Sequence, residues 1–448
     1  MNPQDIRKEI SKSMLADGMT PIIDLEKSHG SWLVDKVSGK EYLDLFSMFA
    51  SLSVGYNHPY VLDQSERLKI AAINKPTNSD VYSQQMAEFV KTFREIAQPS
   101  YLPYAFFIEG GGLAVENALK VAFDWKRRKN MAKGSLAKGE KVIHFKECFH
   151  GRTGYTMSMT DSPDERKTMY YPKFDWPRIS NPKITFPIEN HLESIIDAEK
   201  KALIEIKDAI NKNPDNIASI IIEPVQGEGG DNHFRCEFMQ ALRHICDEND
   251  MMLIYDEVQT GVGVTGKMWA HQHFMKEKCQ SNCNCSENLD AKPDIIAFGK
   301  KTQVCGMAVS SRVDEVDRHV FKESSRINST WGGSLVDMVR FTIYLELIQK
   351  ENLVNLAAKT GIYLQNQLNT LQKEFPNHVS NVRGKGLYCA FDLPSSNMRN
   401  LLADKLVEEG SIILGSGTKS IRFRPHLNVL ESDIDFGIES FRRALKKI

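Results

Sequence analysis

From about residue 104 onward, short apolar runs alternate with longer stretches of helical periodicity. The runs Tyr104–Ile108, Lys141–Phe145, Ile217–Glu223, Met252–Tyr255 and Ile295–Phe298 have the length and the nearly charge-free texture of strands covered on both faces. Between the third and fourth lies FRCEFMQALRHICDEND, in which Phe238, Met239, Leu242, Ile245 and Cys246 share one face of a helix. Strand, helix and strand make a βαβ unit. Its repetition predicts an α/β fold, a mostly parallel sheet flanked by helices.

After Trp331-Gly332-Gly333 the pattern changes to a long helical stretch, Ser334 to about Phe375. An extended stretch at Gly386–Leu393 follows, then a helix near 399–409, a strand around Ile421–Phe423 and a final helix from Ser432. This predicts a smaller α+β domain. The first sixty or so residues contain the strand-like SWLVDKVSGKEYLDL and are too few for a core of their own, so they are expected to pack against the C-terminal part. The expected division is 1–60 as that segment, 61–333 as a large domain and 334–448 as the small one.

Composition changes this picture little. The 57 basic and 58 acidic residues nearly cancel, which removes any general argument for nucleic-acid or membrane binding. MNPQDIRKEISKSM lacks the apolar centre of a signal peptide, and no apolar run approaches the roughly 18 residues that span a bilayer. The expected compartment is the cytoplasm. Of the 8 cysteines most stand singly in apolar surroundings, such as Cys246 and Cys389, and read as reduced thiols. Cys279, Cys283 and Cys285 crowd one polar segment, but their spacing is not the usual zinc pair and no fourth ligand is obvious nearby. No metal site is expected.

Three stretches carry candidate chemistry. In FFIEGGGLAVENALKVAFDWK a strand ends, three glycines follow and a helix begins, which presents unpaired N–H groups suited to a phosphate; glycines also serve tight turns. In LIYDEVQTGVGVTG, Asp256 ends an apolar strand, where an unpaired carboxylate is costly to bury. A protonated pyridine nitrogen or a structural arginine would each answer that need, and Gln259 could reach a ring substituent from the same turn. In IIAFGKKTQVCG, Lys300 follows the strand directly and would project from the carboxyl edge of the sheet, where ligands bind. Lys301 should point the other way if the chain stays extended. A reactive amine, an acidic partner and an anion cradle together match the needs of pyridoxal 5′-phosphate.

At this point the sequence resembles the class III (ω-amino acid) pyridoxal-phosphate aminotransferases, through IIEPVQGEGG, LIYDEVQTGVGVTG, PDIIAFGKK and IRFRP. The resemblance covers nearly the whole chain. It implies the fold-type I architecture of those enzymes, a homodimer with shared active sites, and a role for each matching residue. Lys300 would carry the cofactor and, once freed, move the proton. Asp256 would hold the pyridinium and Gln259 would touch the phenolic oxygen. The backbone of Gly111 and Gly112 would bind phosphate, Gly112 standing where relatives often carry Ala, Thr or Ser. His150, or Phe149 beside it, would stack on the ring. Glu223 would orient the cofactor's surroundings. In STWGG, Thr330 would reach the phosphate of the neighbouring subunit, with Asn328 close to the substrate.

FIEGGGLAVENALK, FHGRTGYTMSMTDS, PKFDWPRI and FGKKTQVCG look most like members acting on the ε-amino group of lysine. That implies L-lysine as donor and 2-oxoglutarate as acceptor. Arg152 would then grip the carboxylate remote from the reacting carbon, through a planar bidentate fork. Glu228 and Arg422 match the family's switch pair: Glu228 would neutralise Arg422 while lysine is bound, then swing aside so that Arg422 takes the α-carboxylate of 2-oxoglutarate. Ornithine, acetylornithine or 4-aminobutyrate as donor, and a relative that binds the cofactor without catalysis, are the alternatives. A single methylene is worth only about 1–3 kcal/mol in a pocket, so these motifs do not read chain length.

Overall fold

The structure, a computed structural model, describes residues 1–135, 138–275 and 290–448. Cys279, Cys283 and Cys285 lie outside the described residues. Strands β1 (Trp32–Val34) and β2 (Glu41–Asp44) precede a seven-stranded sheet formed by β3 (Tyr104–Ile108), β4 (Lys141–Phe145), β5 (Arg178–Ile179), β6 (Ile217–Ile222), β7 (Met252–Asp256), β8 (Ile295–Phe298) and β9 (Cys305–Val309). Across the sheet the order is β3-β9-β8-β7-β6-β4-β5. From β8 to β5 all neighbours run parallel, and β9 is antiparallel to both β8 and β3.

All five strands expected from the apolar runs are present, within a residue at their ends. The two that were not expected have physical excuses. β5 is only two residues long, and β9 follows β8 through a turn so short that Cys305–Val309 reads as more of the same loop. Both faces of the sheet are covered, which is why its strands are nearly continuous apolar runs. On β7, Met252 and Ile254 face one core with Val115, Leu119 and Ala122 of the helix Gly111–Ala132, while Leu253 and Tyr255 face the other. The helix Cys236–Glu248 buries Phe238, Met239, Leu242, Ile245 and Cys246, the face its spacing predicts.

The long helical stretch is two helices, Leu335–Lys350 and Leu353–Glu374. Asn352 interrupts it at φ +51°, a left-handed conformation that Asn tolerates better than most residues. Beyond it, β10 (Ser380–Lys385), β11 (Tyr388–Asp392), β13 (Leu414–Ser416) and β14 (Ser420–Phe423) make an antiparallel sheet, ordered β10-β11-β14-β13. The short β12 (Ser411–Ile412) instead joins β2 in parallel, in a sheet ordered β1-β2-β12. Trp32 near the N-terminus donates its indole N–H to Asp433 of the last helix at 3.1 Å.

One close contact helps fix where the C-terminal sheet sits. The tight turn between β10 and β11 lies between the helix Leu353–Glu374 and the loop after β7, with Leu387 N–H donating to Val264 O at 2.8 Å. A Cβ on Gly361 would fall 2.1 Å from the carbonyl carbon of Gly386. Helix and turn can touch only because residue 361 has no side chain, and this contact delivers Tyr388 to the edge of the large sheet. Gly361→Ala is therefore expected to lower stability by about 1–3 kcal/mol, read as a fall in the urea midpoint at unchanged slope.

Candidate active site

The loops after β3, β4, β6, β7 and β8 all leave from the carboxyl edge of the seven-stranded sheet and carry most of the candidate residues; Arg422 comes from β14, and Asn328 and Thr330 from the segment after β9. Asp256 ends β7 and is 4% exposed. Its Oδ1 accepts from Val258 N–H at 3.1 Å, and its Oδ2 accepts from Nδ1–H of His150 at 2.8 Å. The protein side chain that answers this carboxylate is thus a histidine and not an arginine. Burial works against charge on His150, but Cys148 and the Asp256 carboxylate outweigh it and raise its pKa well above the usual imidazole range. A ring held behind the aspartate in this way has no exposed surface, so His150 does not offer a stacking face. Phe149, half-buried beside it, is the ring left for that role.

Lys300 follows β8 through Gly299. The chain does not stay extended there: Lys300–Thr302 coil into a 3-10 turn, with Lys300 at φ +52°. The two lysines part for a reason other than strand alternation. Each amine donates to a carbonyl of one strained segment, Lys300 to Phe49 O at 3.3 Å and Lys301 to Ala50 O at 3.0 Å. That segment is a left-handed turn over Ser47, Met48, Phe49 and Ala50, whose φ values are +41°, +50°, +60° and +63°. Such a conformation costs roughly 1–2 kcal/mol per residue without glycine, so something must hold it. Asp44 does so from one end, accepting from Phe46 and Ser47 N–H at 2.9 and 2.7 Å, and the lysines do so from the other. Burial, then the nearby Arg422, push the Lys300 amine down to about 8. Burial takes Lys301 well below the ordinary lysine range.

The glycine-rich start of the helix Gly111–Ala132 is closely walled. A Cβ on Gly111 would lie 3.1 Å from Val258 Cγ1, and one on Gly112 3.2 Å from Thr153 Cγ2. Gly151, at φ +126°, crosses this start so closely that its Cβ would meet Gly112 Cα at 2.9 Å. Arg152 comes next in the chain; it is exposed and has no hydrogen bond or ion pair among the described residues. Glu223 is buried and accepts from Phe149 N–H at 2.9 Å and Gly227 N–H at 3.0 Å. Burial pushes its carboxyl up to about 7.

The Gln259 carbonyl oxygen accepts from Tyr388 OH at 3.0 Å and from Arg424 Nε and Nη2 at 3.2 and 3.0 Å. With three donors on its oxygen, the amide is oriented and its NH2 is the end left to donate elsewhere. Arg424 is itself fixed by a bidentate pair to Asp231, at 2.8 and 2.7 Å, and lies 3.2 Å over the Tyr388 ring. Glu228 Oε2 accepts from Arg422 Nη1 at 3.2 Å, and Glu228 Oε1 pairs with Lys167. Burial raises the Glu228 carboxyl, but Arg422 and Lys167 together carry it below its ordinary value. Asn328 and Thr330 are exposed and make no contact with Lys300 or Asp256; the Thr330 carbonyl accepts from Ser79 Oγ at 3.3 Å.

Asp231, Lys167, Tyr388 and Arg424 are the members that sequence reasoning missed. IRFRP and GEGGD held a signal for two of them: Arg424 shares the side of its extended segment with Arg422, and Asp231 closes the same turn as Glu228. Nothing in the sequence relates Tyr388 or Lys167 to their partners, 129 and 61 residues away.

A lysine and an aspartate brought to one edge by adjacent parallel strands, beside a glycine-rich helix start, is the architecture of the fold-type I pyridoxal-phosphate enzymes. The family model for class-III aminotransferases matches residues 14–445, and the chain belongs to that family. The L-lysine-epsilon aminotransferase of Mycobacterium tuberculosis (strain ATCC 25618 / H37Rv) is 46% identical to it over 447 residues, 99% of this chain and 96% of that protein. The L-lysine-epsilon aminotransferase of Streptomyces clavuligerus is 43% identical over 452 residues, 100% of this chain and 95% of that protein. The solved lysine aminotransferase from M. tuberculosis in the internal aldimine form superposes with a TM-score of 0.94 at 45% identity, over 100% of both chains. Enzymes of this family use pyridoxal 5′-phosphate. The edge fits that group: a helix start with no side chain on its first two residues, a buried carboxylate, and an amine of lowered pKa.

Two expectations follow for the lysines. Only the neutral amine condenses with an aldehyde, so uptake of pyridoxal phosphate by cofactor-free protein should accelerate as pH rises through about 8 and then level off, measured by stopped-flow absorbance. A rate still climbing beyond pH 10 would contradict the burial argument. Lys301→Ala should lower stability by about 2–4 kcal/mol in chemical denaturation, through a lost buried stem and an orphaned Ala50 carbonyl, while turnover survives.

Proposed function

We propose that this enzyme transfers the ε-amino group of L-lysine to 2-oxoglutarate, giving 2-aminoadipate 6-semialdehyde, which cyclises to piperideine-6-carboxylate, and L-glutamate. The observation that carries this reading is the charge arrangement at the edge. Arg422, close enough to depress the Lys300 amine, is neutralised by Glu228, whereas Arg152 has no partner among the described residues. Such a site suits a donor whose reacting amine is far from its carboxylate: Arg152 takes the distant carboxylate, and no free cation opposes the amine. The full-length likeness to lysine-epsilon aminotransferases supports lysine over shorter ω-amines.

When bound, the cofactor supplies an electron sink that acidifies the C–H bond beside the amine and stores the amino group between the two halves of the reaction. The chain's own residues do the rest. Lys300 Nζ, partly neutral near physiological pH, would be the base that moves the proton between the ε-carbon and the cofactor. Asp256, backed by His150, would offer its carboxylate to the ring nitrogen; the Gln259 NH2 would donate to the phenolic oxygen; the N–H groups of Gly111 and Gly112 would hold phosphate; Phe149 would cover the ring. Glu223 fixes the backbone of Phe149 and Gly227, and so the ring and the loop that carries Glu228. In the second half Glu228 leaves Arg422, which then grips the α-carboxylate of 2-oxoglutarate while Arg152 keeps the other carboxylate.

Thr330 and Asn328 are exposed in the single chain, which favours their serving a neighbouring copy, phosphate for Thr330 and substrate for Asn328, in a homodimer. Cys148, Cys246, Cys305 and Cys389 are buried thiols, as suits a reducing compartment, and we take the cytoplasm as the place of the reaction. Among the described residues no helix is long and apolar enough to cross a membrane.

The test is to supply lysine labelled with ¹⁵N at the ε-position, with pyridoxal phosphate and 2-oxoglutarate, and follow the label by mass spectrometry. Labelled glutamate is expected, and none from Lys300→Ala. Unlabelled glutamate would mean attack at the α-amine, and no glutamate would exclude lysine as donor.

A further inference from the structure

Lys167 belongs to none of the family motifs that the sequence displays, yet it touches the centre of the switch. The two oxygens of Glu228 are divided between two cations, Oε2 to Arg422 at 3.2 Å and Oε1 to Lys167. The cations differ in position. The Arg422 side chain is 7% exposed and lies on the sheet side, whereas those of Lys167 and Glu228 are 20% and 25% exposed. Lys167 and Glu228 also line a cavity of about 680 Å³ together with Arg399, Ser416 and Gly417. Room for the carboxylate therefore exists on the Lys167 side.

The backbone of Glu228 does not have to move. Its carbonyl accepts from Gly417 N–H at 2.8 Å, which pins the main chain, so release of Arg422 is a rotation of the side chain. Lys167 is delivered by a short turn, Glu165–Lys167, capped by Asp164, and its ammonium lies 5.9 Å above the Phe149 ring. The cavity holds a further cation, Arg399, whose guanidinium donates to Asn400 Oδ1 at 2.7 Å. A carboxylate leaving Arg422 thus turns toward positive charge, with Lys167 already in contact.

We propose that Lys167 is a specificity-determining residue: it holds the Glu228 carboxylate while Arg422 is free, and so sets how readily the site passes from an ω-amine donor to a dicarboxylate acceptor. The proposal rests on the reading of Glu228 and Arg422 as a switch. A carboxylate that left Arg422 for no cation would be left unpaired in a partly buried place, so without Lys167 the closed pair should win. Glutarate, a dicarboxylate without the reactive carbonyl, reports on the open state alone.

The experiment is isothermal titration of the holoenzyme with glutarate, together with single-turnover kinetics of the lysine and glutamate half-reactions. Lys167→Met should weaken glutarate binding about 10-fold, the worth of one charge-assisted contact, and shift the ratio of the two half-reaction rates toward lysine by a similar factor. Lys167→Arg should restore both. In a Glu228→Ala background Lys167→Met should do nothing, because its effect passes through Glu228. Unchanged or tighter glutarate binding in Lys167→Met would overturn the proposal, since Lys167 would then clamp Glu228 onto Arg422. If Glu228→Ala fails to tighten glutarate, the switch reading itself falls; if lysine proves not to be the donor, the glutarate arms still decide the role of Lys167.

Discussion

The bond on which the rest of this site depends is the 2.8 Å contact between Asp256 and His150. It places a carboxylate at the end of a fully buried strand, where charge without a partner would be prohibitive. Once Asp256 is anchored, its neighbours follow. Val258, bonded to the other carboxylate oxygen, becomes the wall against which Gly111 packs, and the segment that carries His150 also carries Phe149 and crosses Gly112. One ion pair therefore sets the relative positions of an acidic group, a ring and a glycine-rich helix start that come from three separate strands. Removing either partner would disturb all three.

Much of this was legible in the sequence, because strands buried on both faces and helices with one apolar face write their periods directly into the residue order. Ile295–Phe298 and the inner face of Cys236–Glu248 could be read without any fold. What failed was local geometry set by distant partners. The alternation argument that separated Lys300 from Lys301 assumed an extended chain; the chain coils instead, and carbonyls about 250 residues earlier in the sequence separate the two amines. The left-handed turn at Ser47–Ala50 has no glycine to announce it. It exists because Asp44 and two lysines hold it, and no periodicity records such a cost met from elsewhere. The stacking ring stayed open in the sequence for the same reason: adjacency gave two rings, and only the distant Asp256 carboxylate shows which of them is tied back.

The lysine pair also shows one residue type put to two uses, with burial the largest influence on both amines. Desolvation lowers both amines, Lys300 to about 8 and Lys301 well below the ordinary lysine range. An amine near 8 exchanges its proton around neutrality, which a group that both attacks and shuttles protons requires. Lys301 is a hydrogen-bond donor on a buried stem, and it spends that bond on the strained turn beside its neighbour.

Arg422 and Arg424 carry the same lesson in charge. They lie two residues apart on one extended segment, so they face the same side and read identically in sequence. Arg424 meets Asp231 with two parallel bonds, both side chains no more than 2% exposed, and further donates to Gln259. Opening that pair would strand two buried charges at once, so it can only be structural. Arg422 meets Glu228 through one oxygen, with Glu228 25% exposed and its other oxygen already on a second cation. That pair can open without leaving either charge alone, provided a substrate carboxylate arrives for Arg422. A movable charge in a protein interior needs two seats. The geometry supplies them for Glu228 and withholds them from Asp231, and on the proposed reading this difference, not the identity of the arginines, separates a scaffold from a switch.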